Sequence, residues 1–330
     1  MKAILLNQNN TLSLGELHTP EPAKGQVRIK IIAVGLNPID YQMRENEFER
    51  RHLHSPILGR ELSGIVDSLG SDVDRLRIGD EVFCSAGSMG SNGTYAEYIV
   101  LPEEIVVLKP HNISFEQAAG LPSAGITALQ CFNRMGVNGN SSIFITGAAG
   151  GVGNLLVRLL KAHHYNHFVV TAGSEESIQS LKDIGVTDAQ IVNYKKEDIV
   201  QAAVAKNKGQ TFDIAVDCVG NKLAEISGTL LKKNGVYIDV TNFHTSESRD
   251  ILFNKGATVH HISNFIYAVE KDFSYFARSL EYLKKMIEGG MLVAPEVNNI
   301  GFLNVETVER AHLALKQNQT RGKKLVMKVI

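Results

Sequence analysis

A glycine-rich turn in the middle of the chain has the composition of a phosphate-binding loop. The turn reads Thr146, Gly147, Ala148, Ala149, Gly150, Gly151, Val152 and Gly153, which is a G-x-x-G-x-x-G spacing. An apolar run precedes it and an amphipathic run follows, so a strand must turn sharply into a helix here. A backbone without Cβ atoms can approach a diphosphate, and the helix N-terminus offers unpaired N–H groups and a positive dipole end. We therefore expect the turn to hold the diphosphate of a nicotinamide dinucleotide.

The end of the next predicted strand bears on which dinucleotide binds. Domains that bind NAD usually carry Asp or Glu there, about 20 residues beyond the glycines, to hold the ribose hydroxyls. Here the strand is followed by Gly173 and Ser174, which leave room for a 2′-phosphate. Glu175 and Glu176 would repel that phosphate if they pointed inward, but they also suit the first turn of a helix. The sequence therefore favours NADPH, with NAD(H) the less favoured alternative.

Strands and helices alternate around and beyond this turn. The predicted strands cover residues 142–146, 168–172, 189–193, 212–218, 235–240 and 257–261, and the predicted helices cover 151–163, 175–184, 197–205 and 222–232. This alternation indicates βαβ units, and six parallel strands fit a doubly wound, or Rossmann, dinucleotide-binding domain. A helix that Ser114 caps, with Gln117 completing a capping box, precedes this region. A helix over 275–288 and a strand over 324–330 follow it.

The first third of the chain is rich in short strands. Residues 27–31, 62–66, 81–83 and 95–100 are strand candidates, and frequent glycines separate them. Short strands with frequent turns predict a compact, barrel-like β domain.

Composition narrows the class of protein. The chain has 330 residues, of which 44% are hydrophobic, so two domains with buried cores are expected. The 34 Lys and Arg residues nearly balance 35 Asp and Glu residues, which argues against a nucleic-acid partner and against an acidic disordered chain. Cys84, Cys131 and Cys218 are too widely spaced for a disulfide framework or a CxxC pair. No apolar run resembles a signal peptide or a membrane span, so the sequence predicts a soluble, cytoplasmic protein without a membrane partner.

Seven ordered segments together resemble one known family. They are residues 37–40 (NPID), 59–66 (GRELSGIV), 79–82 (GDEV), 121–128 (LPSAGITA), 147–153 (GAAGGVG), 217–220 (DCVG) and 322–326 (GKKLV). On these segments the chain resembles the zinc-independent quinone oxidoreductase (zeta-crystallin-like) branch of the medium-chain dehydrogenase/reductase superfamily. The resemblance runs nearly end to end.

This resemblance implies a domain plan. A GroES-like β-barrel catalytic domain would span residues 1–118, and a six-stranded Rossmann domain would bind NADPH over residues 119–261. Residues 262–330 would complete the catalytic domain, with the cofactor in the cleft between the two. Family members also pair through the edge strand of the Rossmann domain, and the β-prone residues 257–261 fall there. We therefore expect a homodimer.

The resemblance also bears on metal binding. In the zinc alcohol dehydrogenases of this superfamily, a Cys matches Asn37, a His matches Arg60, and four cysteines occupy the lobe that matches residues 84–98. That lobe has one cysteine here. Zinc requires thiolate or imidazole ligands at tetrahedral spacing, so no metal site is expected.

The cofactor residues carry over from the same resemblance. Asn37, Thr127 and the backbone around Val219 and Phe243 would meet the nicotinamide end. Ser174 and Tyr194 would contact the 2′-phosphate. Family members carry a Lys at the position of Ser177, so this chain departs from the pattern there. The cations that could compensate are Lys195, Lys196 and Arg321.

The expected chemistry is hydride transfer to an acceptor that spreads the incoming charge. Without zinc, a simple carbonyl lacks its Lewis acid, which favours quinones and α,β-unsaturated carbonyls (enones) as substrates. The developing oxyanion needs a donor, and Asn37, Tyr41 and Arg60 are the candidates. Tyr41 could also deliver a proton or only pack in its loop, Arg60 could equally be a structural ion-pair residue, and Asp40 is expected to order the loop. The alternatives are a nucleotide-loaded binding or scaffold protein with vestigial catalysis, and a zinc enzyme with unusual ligands.

Overall fold

The computed structural model describes residues 1–87, 89 and 91–329. The chain divides into two compact units, the first comprising Met1–Ile126 and Phe265–Ile330 and the second Thr127–Asn264. Ile330, at which the predicted terminal strand ends, lies outside the described residues. Within the described ranges, no helix combines the length and the apolar character that crossing a bilayer requires.

The strands, in chain order, are β1 (Lys2–Leu6), β2 (Leu12–Glu16), β3 (Gln26–Gly35), β4 (Glu61–Leu69), β5 (Glu81–Ser85), β6 (Tyr98–Pro102), β7 (Val107–Leu108), β8 (Ile143–Thr146), β9 (Phe168–Ala172), β10 (Ile191–Asn193), β11 (Phe212–Asp217), β12 (Leu231–Asp239), β13 (Thr258–His261), β14 (Val297–Phe302) and β15 (Lys324–Lys328).

The α-helices, in chain order, are α1 (Pro38–Glu45), α2 (Glu47–Arg50), α3 (Phe115–Ala119), α4 (Pro122–Arg134), α5 (Gly151–Ala162), α6 (Glu175–Asp183), α7 (Ile199–Lys206), α8 (Lys222–Leu230), α9 (Ser246–Asn254), α10 (Phe265–Val269), α11 (Phe273–Glu288) and α12 (Val305–Lys316).

The second unit contains a six-stranded sheet in the order β10-β9-β8-β11-β12-β13, and every described pairing in it is parallel. The strands β8 and β9 are buried along their whole length, because helices cover both faces of such a sheet. The strand order reverses between β8 and β11, and ligands of doubly wound sheets bind at the carboxyl ends of the strands at this switch point. The predicted Rossmann architecture is confirmed.

Apolar side chains hold this sheet to its helices. The rings of Phe144 and Phe212 lie 5.4 Å apart between their centroids, and Leu230 of α8 belongs to the same buried cluster. A separate buried cluster contains Tyr237 of β12 and Leu252 of α9. These clusters hold β8, β11 and β12 against the helices α8 and α9.

The first unit contains a seven-stranded sheet in the order β14-β15-β3-β4-β5-β7, with β6 also paired to β3. Its pairings are antiparallel except for β14 with β15. The ten-residue strand β3 pairs with β4, with β6 at its beginning and with β15 at its end. The C-terminal segment therefore contributes strands to the N-terminal sheet, and the predicted β-rich character of this part of the chain is confirmed.

Some element boundaries differ from the sequence prediction. The strand predicted over 95–100 begins only at Tyr98, since Ala96 makes an isolated bridge to Ala3 and the Tyr95 ring is buried. The helix predicted over 222–232 ends at Leu230, because β12 begins at the next residue. The pattern also did not predict β14, whose sequence VNNIGF is polar and largely exposed, or the helices α9 and α12.

Candidate active site

The glycine turn connects β8 to α5 as the sequence predicts. Gly147 has a φ of +64°, a conformation that residues with a Cβ rarely adopt. A Cβ on Gly153 would lie 2.4 Å from the Gly147 carbonyl oxygen and 2.7 Å from the Ala148 Cα, so only glycine allows this helix to pack against its own turn. The path of the backbone therefore depends on two of the predicted glycines.

The start of α5 leaves its backbone amides open. Gly150 is the N-cap residue and makes no side-chain capping hydrogen bond, because it has no side chain. The N–H groups of the first helical turn lack intrahelical acceptors and carry the positive end of the helix dipole. Such a terminus binds a phosphate without further charged groups.

Asp217 organises the neighbouring turn, at the end of β11. Its Oδ1 accepts hydrogen bonds from the Thr146 hydroxyl at 2.7 Å and from the backbone N–H groups of Val219 and Gly220 at 3.0 and 2.9 Å. Its Oδ2 accepts one from the Tyr237 hydroxyl at 2.9 Å, and burial raises the pKa of that hydroxyl. One buried carboxylate thus ties together the ends of β8, β11 and β12. In the sequence, Asp217 is recognisable only as the first residue of the 217–220 motif.

The structure brings Val219 and Phe243 together beside the glycine turn. A Cβ on Gly147 would lie 2.9 Å from Val219 Cγ2, and a Cβ on Gly220 would lie 2.4 Å from Phe243 Cβ. The Asn221 N–H donates to the Phe243 carbonyl at 2.6 Å, and both Val219 and Phe243 are about half exposed. These residues form an accessible rim at the switch point of the sheet.

The residues predicted to contact the 2′-phosphate also lie together. Gly173 is buried beneath the Tyr194 ring, since a Cβ on it would lie 2.2 Å from Tyr194 Cζ. The Ser174 hydroxyl caps α6 by accepting from the Ser177 N–H at 3.1 Å. Glu175 and Glu176 are exposed in the first turn of α6. The tip of β9 therefore presents no buried carboxylate.

Two further predicted cofactor residues have separate settings. Thr127 lies on α4 in the second unit, where its hydroxyl accepts from Asn264 Nδ2 at 2.9 Å. Arg321 belongs to the first unit, where it is exposed in the turn before β15 with a φ of +53°. Their roles stay predictions.

In the first unit, Asn37 belongs to a buried polar cluster that local sequence patterns do not reveal. Its Nδ2 donates to Glu61 Oε1 at 2.8 Å, and its Oδ1 accepts from Lys324 Nζ at 2.6 Å. Lys324 Nζ also lies 2.6 Å from Glu61 Oε1, and Glu61 Oε2 accepts from the Ser123 backbone N–H at 2.7 Å. Both ends of the Asn37 amide are therefore committed to protein partners.

The Arg60 guanidinium, unlike the Asn37 amide, has few hydrogen-bond partners among the described residues. In the described part of the chain its guanidinium makes no ion pair, and its one side-chain hydrogen bond is to Met43 Sδ at 3.7 Å. Burial lowers its pKa, although Asp40, Glu49 and Glu61 oppose that shift from a distance. Most of its donors are available, which favours the active-site interpretation of Arg60 over the ion-pair interpretation.

Asp40 orders the start of α1. Its Oδ2 accepts from the Asn37 N–H at 2.8 Å and from the Tyr95 hydroxyl at 3.1 Å, and that hydroxyl lies 3.4 Å from His312 Nε2. Burial raises the pKa of Asp40 to about 6, and its Oδ1 has no partner among the described residues. Burial lowers the pKa of His312 to about 3. The neighbouring Tyr41 is half-buried on α1, and its hydroxyl has no hydrogen-bond partner in the described ranges.

The cysteines carry no such chemistry. Cys84 and Cys131 are buried, Cys218 is partly buried, and all three are free thiols. Burial raises the pKa of each thiol, which keeps it protonated and unreactive.

Two family models match the chain. One, described as an alcohol dehydrogenase GroES-like domain, matches residues 23–111 in the first unit. The other, described as a zinc-binding dehydrogenase, matches residues 151–281.

Two of the chain's relatives are named as oxidoreductases. The chain is 32% identical over 235 residues to the quinone-oxidoreductase QR1 of Triphysaria versicolor, which covers 68% of this chain and 69% of that protein. It is 31% identical over 228 residues to an NADPH-dependent alkenal/one oxidoreductase of Arabidopsis thaliana, which covers 67% of this chain. That match spans 56% of the Arabidopsis protein, little more than half its length.

A solved structure agrees over the full length. The quinone oxidoreductase of Coxiella burnetii superimposes with a TM-score of 0.84 at 31% sequence identity, covering 100% of this chain and 99% of that one.

Proposed function

This chain belongs to the quinone oxidoreductase branch of the medium-chain dehydrogenase/reductase superfamily, and from that premise we propose that it is an NADPH-dependent reductase of quinones or α,β-unsaturated carbonyls. The observation that carries the proposal is the turn between β8 and α5. Its open amides fit a diphosphate, and the exclusion of any Cβ at Gly153 keeps α5 packed against the turn that would hold it. When bound, the dinucleotide supplies a hydride.

NADPH is preferred because of the tip of β9. Its Gly173 and Ser174 carry no carboxylate for ribose hydroxyls, and Tyr194 covers Gly173. Lys195 and Lys196 are exposed directly after Tyr194 and offer positive charge for a 2′-phosphate. The name of the Arabidopsis relative supports the same preference.

Catalysis without zinc is part of the proposal, because the side chains of Asn37 and Arg60 are not suitable zinc ligands. Asn37 Oδ1 and Glu61 Oε1 each lie 2.6 Å from the Lys324 ammonium, so a cation already occupies the place next to both oxygens. Arg60 adds a second cation instead of an imidazole ligand. Zinc sites require neutral imidazole, thiolate or carboxylate ligands free to coordinate.

A guanidinium suits a hydride acceptor, such as a quinone or enone, that delocalises the negative charge it receives. Arg60 would donate to the oxygen on which negative charge develops, where a desolvated donor contributes more than it would in water. Tyr41, whose hydroxyl has no hydrogen bond among the described residues, would supply the proton. Asp40 and Lys324 would position the segment that carries Asn37 and Tyr41.

We also propose a homodimer that forms through β13. In the described chain this strand pairs on one side only, with β12, and so presents an open edge. Light scattering at micromolar concentration should give a mass of two chains, and a monomer would contradict the proposal.

The test of function is an acceptor screen. NADPH consumption should be followed by absorbance with a panel of quinones and 2-alkenals, and with simple aldehydes as the negative panel. We expect turnover with at least one conjugated acceptor and slower turnover with NADH. Tight NADPH binding without consumption by any acceptor would contradict the proposal and favour the nucleotide-loaded binding protein.

A further inference from the structure

Three potential metal ligands converge in the second unit, away from the glycine turn in sequence. We propose that Asp239, His244 and His261 bind one divalent transition-metal ion of the Zn²⁺ class. Each residue offers one ligand atom, and these atoms all lie within 4.8 Å of one another. They are the only such group of three or more among the described residues. The sequence predicts no metal site because the zinc-ligand positions at Asn37, Arg60 and residues 84–98 are not matched, and Asp239, His244 and His261 lie outside those positions.

The fold determines which residues meet. Asp239 ends β12 and His261 ends β13, and the two are direct partners in the parallel register of these strands. His244 lies in the segment that leaves β12 for α9. The ligands therefore project from two paired strand ends and one connecting segment, which places them at the carboxyl edge of the sheet.

The present distances are close to those of a metal site. Asp239 Oδ2 lies 2.7 Å from His261 Nδ1 and 3.1 Å from His244 Nε2. Zinc bonds to nitrogen and oxygen of roughly 2.0–2.2 Å place tetrahedral ligand atoms roughly 3.4 Å apart. Small rotations of the side chains would open the cluster to that spacing.

Neighbouring groups orient the ligand atoms. Asp239 Oδ1 accepts from the backbone N–H groups of Thr241 and Asn242 at 3.2 and 2.9 Å, which leaves Oδ2 to face the histidines. His244 Nδ1 lies 3.3 Å from Ser248 Oγ, which leaves Nε2 for the ion. Metal sites commonly fix both the carboxylate and the second imidazole nitrogen in this way.

In the single chain, the site has an entrance and an open coordination position. The His261 side chain is 63% exposed, and both histidines line a cavity of about 700 Å³. Three protein ligands leave a fourth position of a tetrahedral ion free, as in zinc sites that bind water or substrate. Arg249 lines the same cavity, so a water or a small anion is the fitting fourth ligand.

The competing explanation is that Asp239 only accepts hydrogen bonds from both imidazoles. That arrangement uses the same three atoms, but with protons between them. A metal ion would displace these protons, so binding should release them and should weaken at acidic pH. Direct metal titration separates the two explanations.

The experiment uses tag-free, full-length protein that has been treated with a chelator and desalted. Isothermal titration with Zn²⁺ should show one ion per chain, and Co²⁺ should give the visible spectrum of an ion bound by nitrogen and oxygen ligands. His261→Ala and His244→Ala should each weaken Zn²⁺ binding by at least about 100-fold. These readouts do not depend on NADPH or on reductase activity.

The matched control is His260→Ala. His260 precedes His261 on β13, but its Nδ1 lies 3.3 Å from Arg134 Nη2 instead of facing Asp239. This variant should bind Zn²⁺ as the natural chain does. Because His261 is mostly exposed, His261→Ala should keep the fold, which thermal unfolding checks. Absence of Zn²⁺ uptake by the natural chain at millimolar concentration, or an equal loss in His260→Ala, would overturn the proposal.

Discussion

Lys324 and Glu61 form a buried ion pair, with Nζ and Oε1 2.6 Å apart and with less than a tenth of either side chain exposed. Asn37 and the Ser123 backbone N–H occupy further positions around the same carboxylate. A buried carboxylate is tolerated only when charge and hydrogen bonds compensate its lost hydration. The pair therefore fixes β15, β4 and the start of α1 in one arrangement.

Removing one partner should destabilise the first unit strongly. Lys324→Met leaves the Glu61 charge uncompensated, and such a change costs about 3–5 kcal/mol. The adjacent Lys323 pairs with Glu296 at the surface, with half of each side chain exposed, so Lys323→Met should cost less than about 1 kcal/mol. Urea unfolding of both variants measures the difference. Equal midpoints would show that the buried pair contributes little.

The Lys324 pair also shows where sequence reasoning stops. Strand and helix periodicity located most strands and helices of the second unit, because each is a local pattern of burial. Lys324 meets Asn37 across 287 positions of the chain, and no local pattern encodes that contact. Glu61 and Lys324 both lie within motifs of the family resemblance, yet their pairing depends on the register of β15 with β3 and of β3 with β4.

The candidate site also contains some features that the sequence predicts and others that only the structure shows. The glycine turn could be predicted from the sequence, since a sharp turn from strand to helix requires glycines at a short, fixed spacing. The hydrogen bonds of the Asn37 amide to Glu61 and Lys324 could not be predicted in this way. Because these bonds already use both ends of the amide, Arg60 is the better candidate to donate to the substrate. His244 and His261 remained unconnected in the sequence because the parallel register of β12 and β13 brings them together.

Arg60→Gln should slow reduction without weakening cofactor binding. Loss of one donor to a developing oxyanion typically lowers the rate by about 10²–10³-fold. The control is Arg28→Gln, since Arg28 is already paired with Asp67 and Glu21 and should leave kcat/KM nearly unchanged. Steady-state kinetics and NADPH titration check both variants. Equal rates in Arg60→Gln and the natural chain would remove Arg60 from the proposed mechanism.

His312 should make the protein less stable in mild acid. Burial lowers its pKa from 6.5 to about 3, so the native state resists a proton that the unfolded chain accepts. Its stabilising contribution is complete above about pH 6.5 and is lost as pH falls from there, by about 2 kcal/mol at pH 5. Urea unfolding at about pH 6.5 and at pH 5 measures this loss of stability, and His312→Gln should remove it. The exposed His18→Gln is the control and should retain it.

Asp40 should act with the opposite sign. Burial raises its pKa from 3.8 to about 6, so its contribution is complete below about pH 4 and is lost as pH rises through 6. Asp40→Asn should therefore gain stability relative to the natural chain as pH rises from about 4 to 7, by about 3 kcal/mol at most. The same unfolding series measures it. An unchanged pH dependence would show that Asp40 is ionised at the same pH in both states.

Lys195 and Lys196 should carry the preference for NADPH. Neutralising both with Ala removes positive charge beside the β9 tip, and we expect NADPH affinity to fall about tenfold while NADH affinity stays unchanged. Lys206, on α7, is the control because its ammonium is already bonded to the Asp188 carbonyl. Fluorescence titration with the two cofactors gives the ratio. A parallel loss for NADPH and NADH would argue against recognition of a 2′-phosphate.

Gly153→Ala should weaken dinucleotide binding strongly while the sheet remains folded. The added Cβ would lie 2.4 Å from the Gly147 carbonyl oxygen, a contact that the backbone can relieve only by moving the turn away from α5. Gly139→Ala is the matched control in the same unit, since a Cβ there meets nothing within 4 Å. We expect NADPH affinity to fall at least about 100-fold in the first variant, equivalent to about 3 kcal/mol, and to stay unchanged in the second. Circular dichroism checks the fold of both, and retained NADPH binding by Gly153→Ala would show that the diphosphate does not rest on this turn.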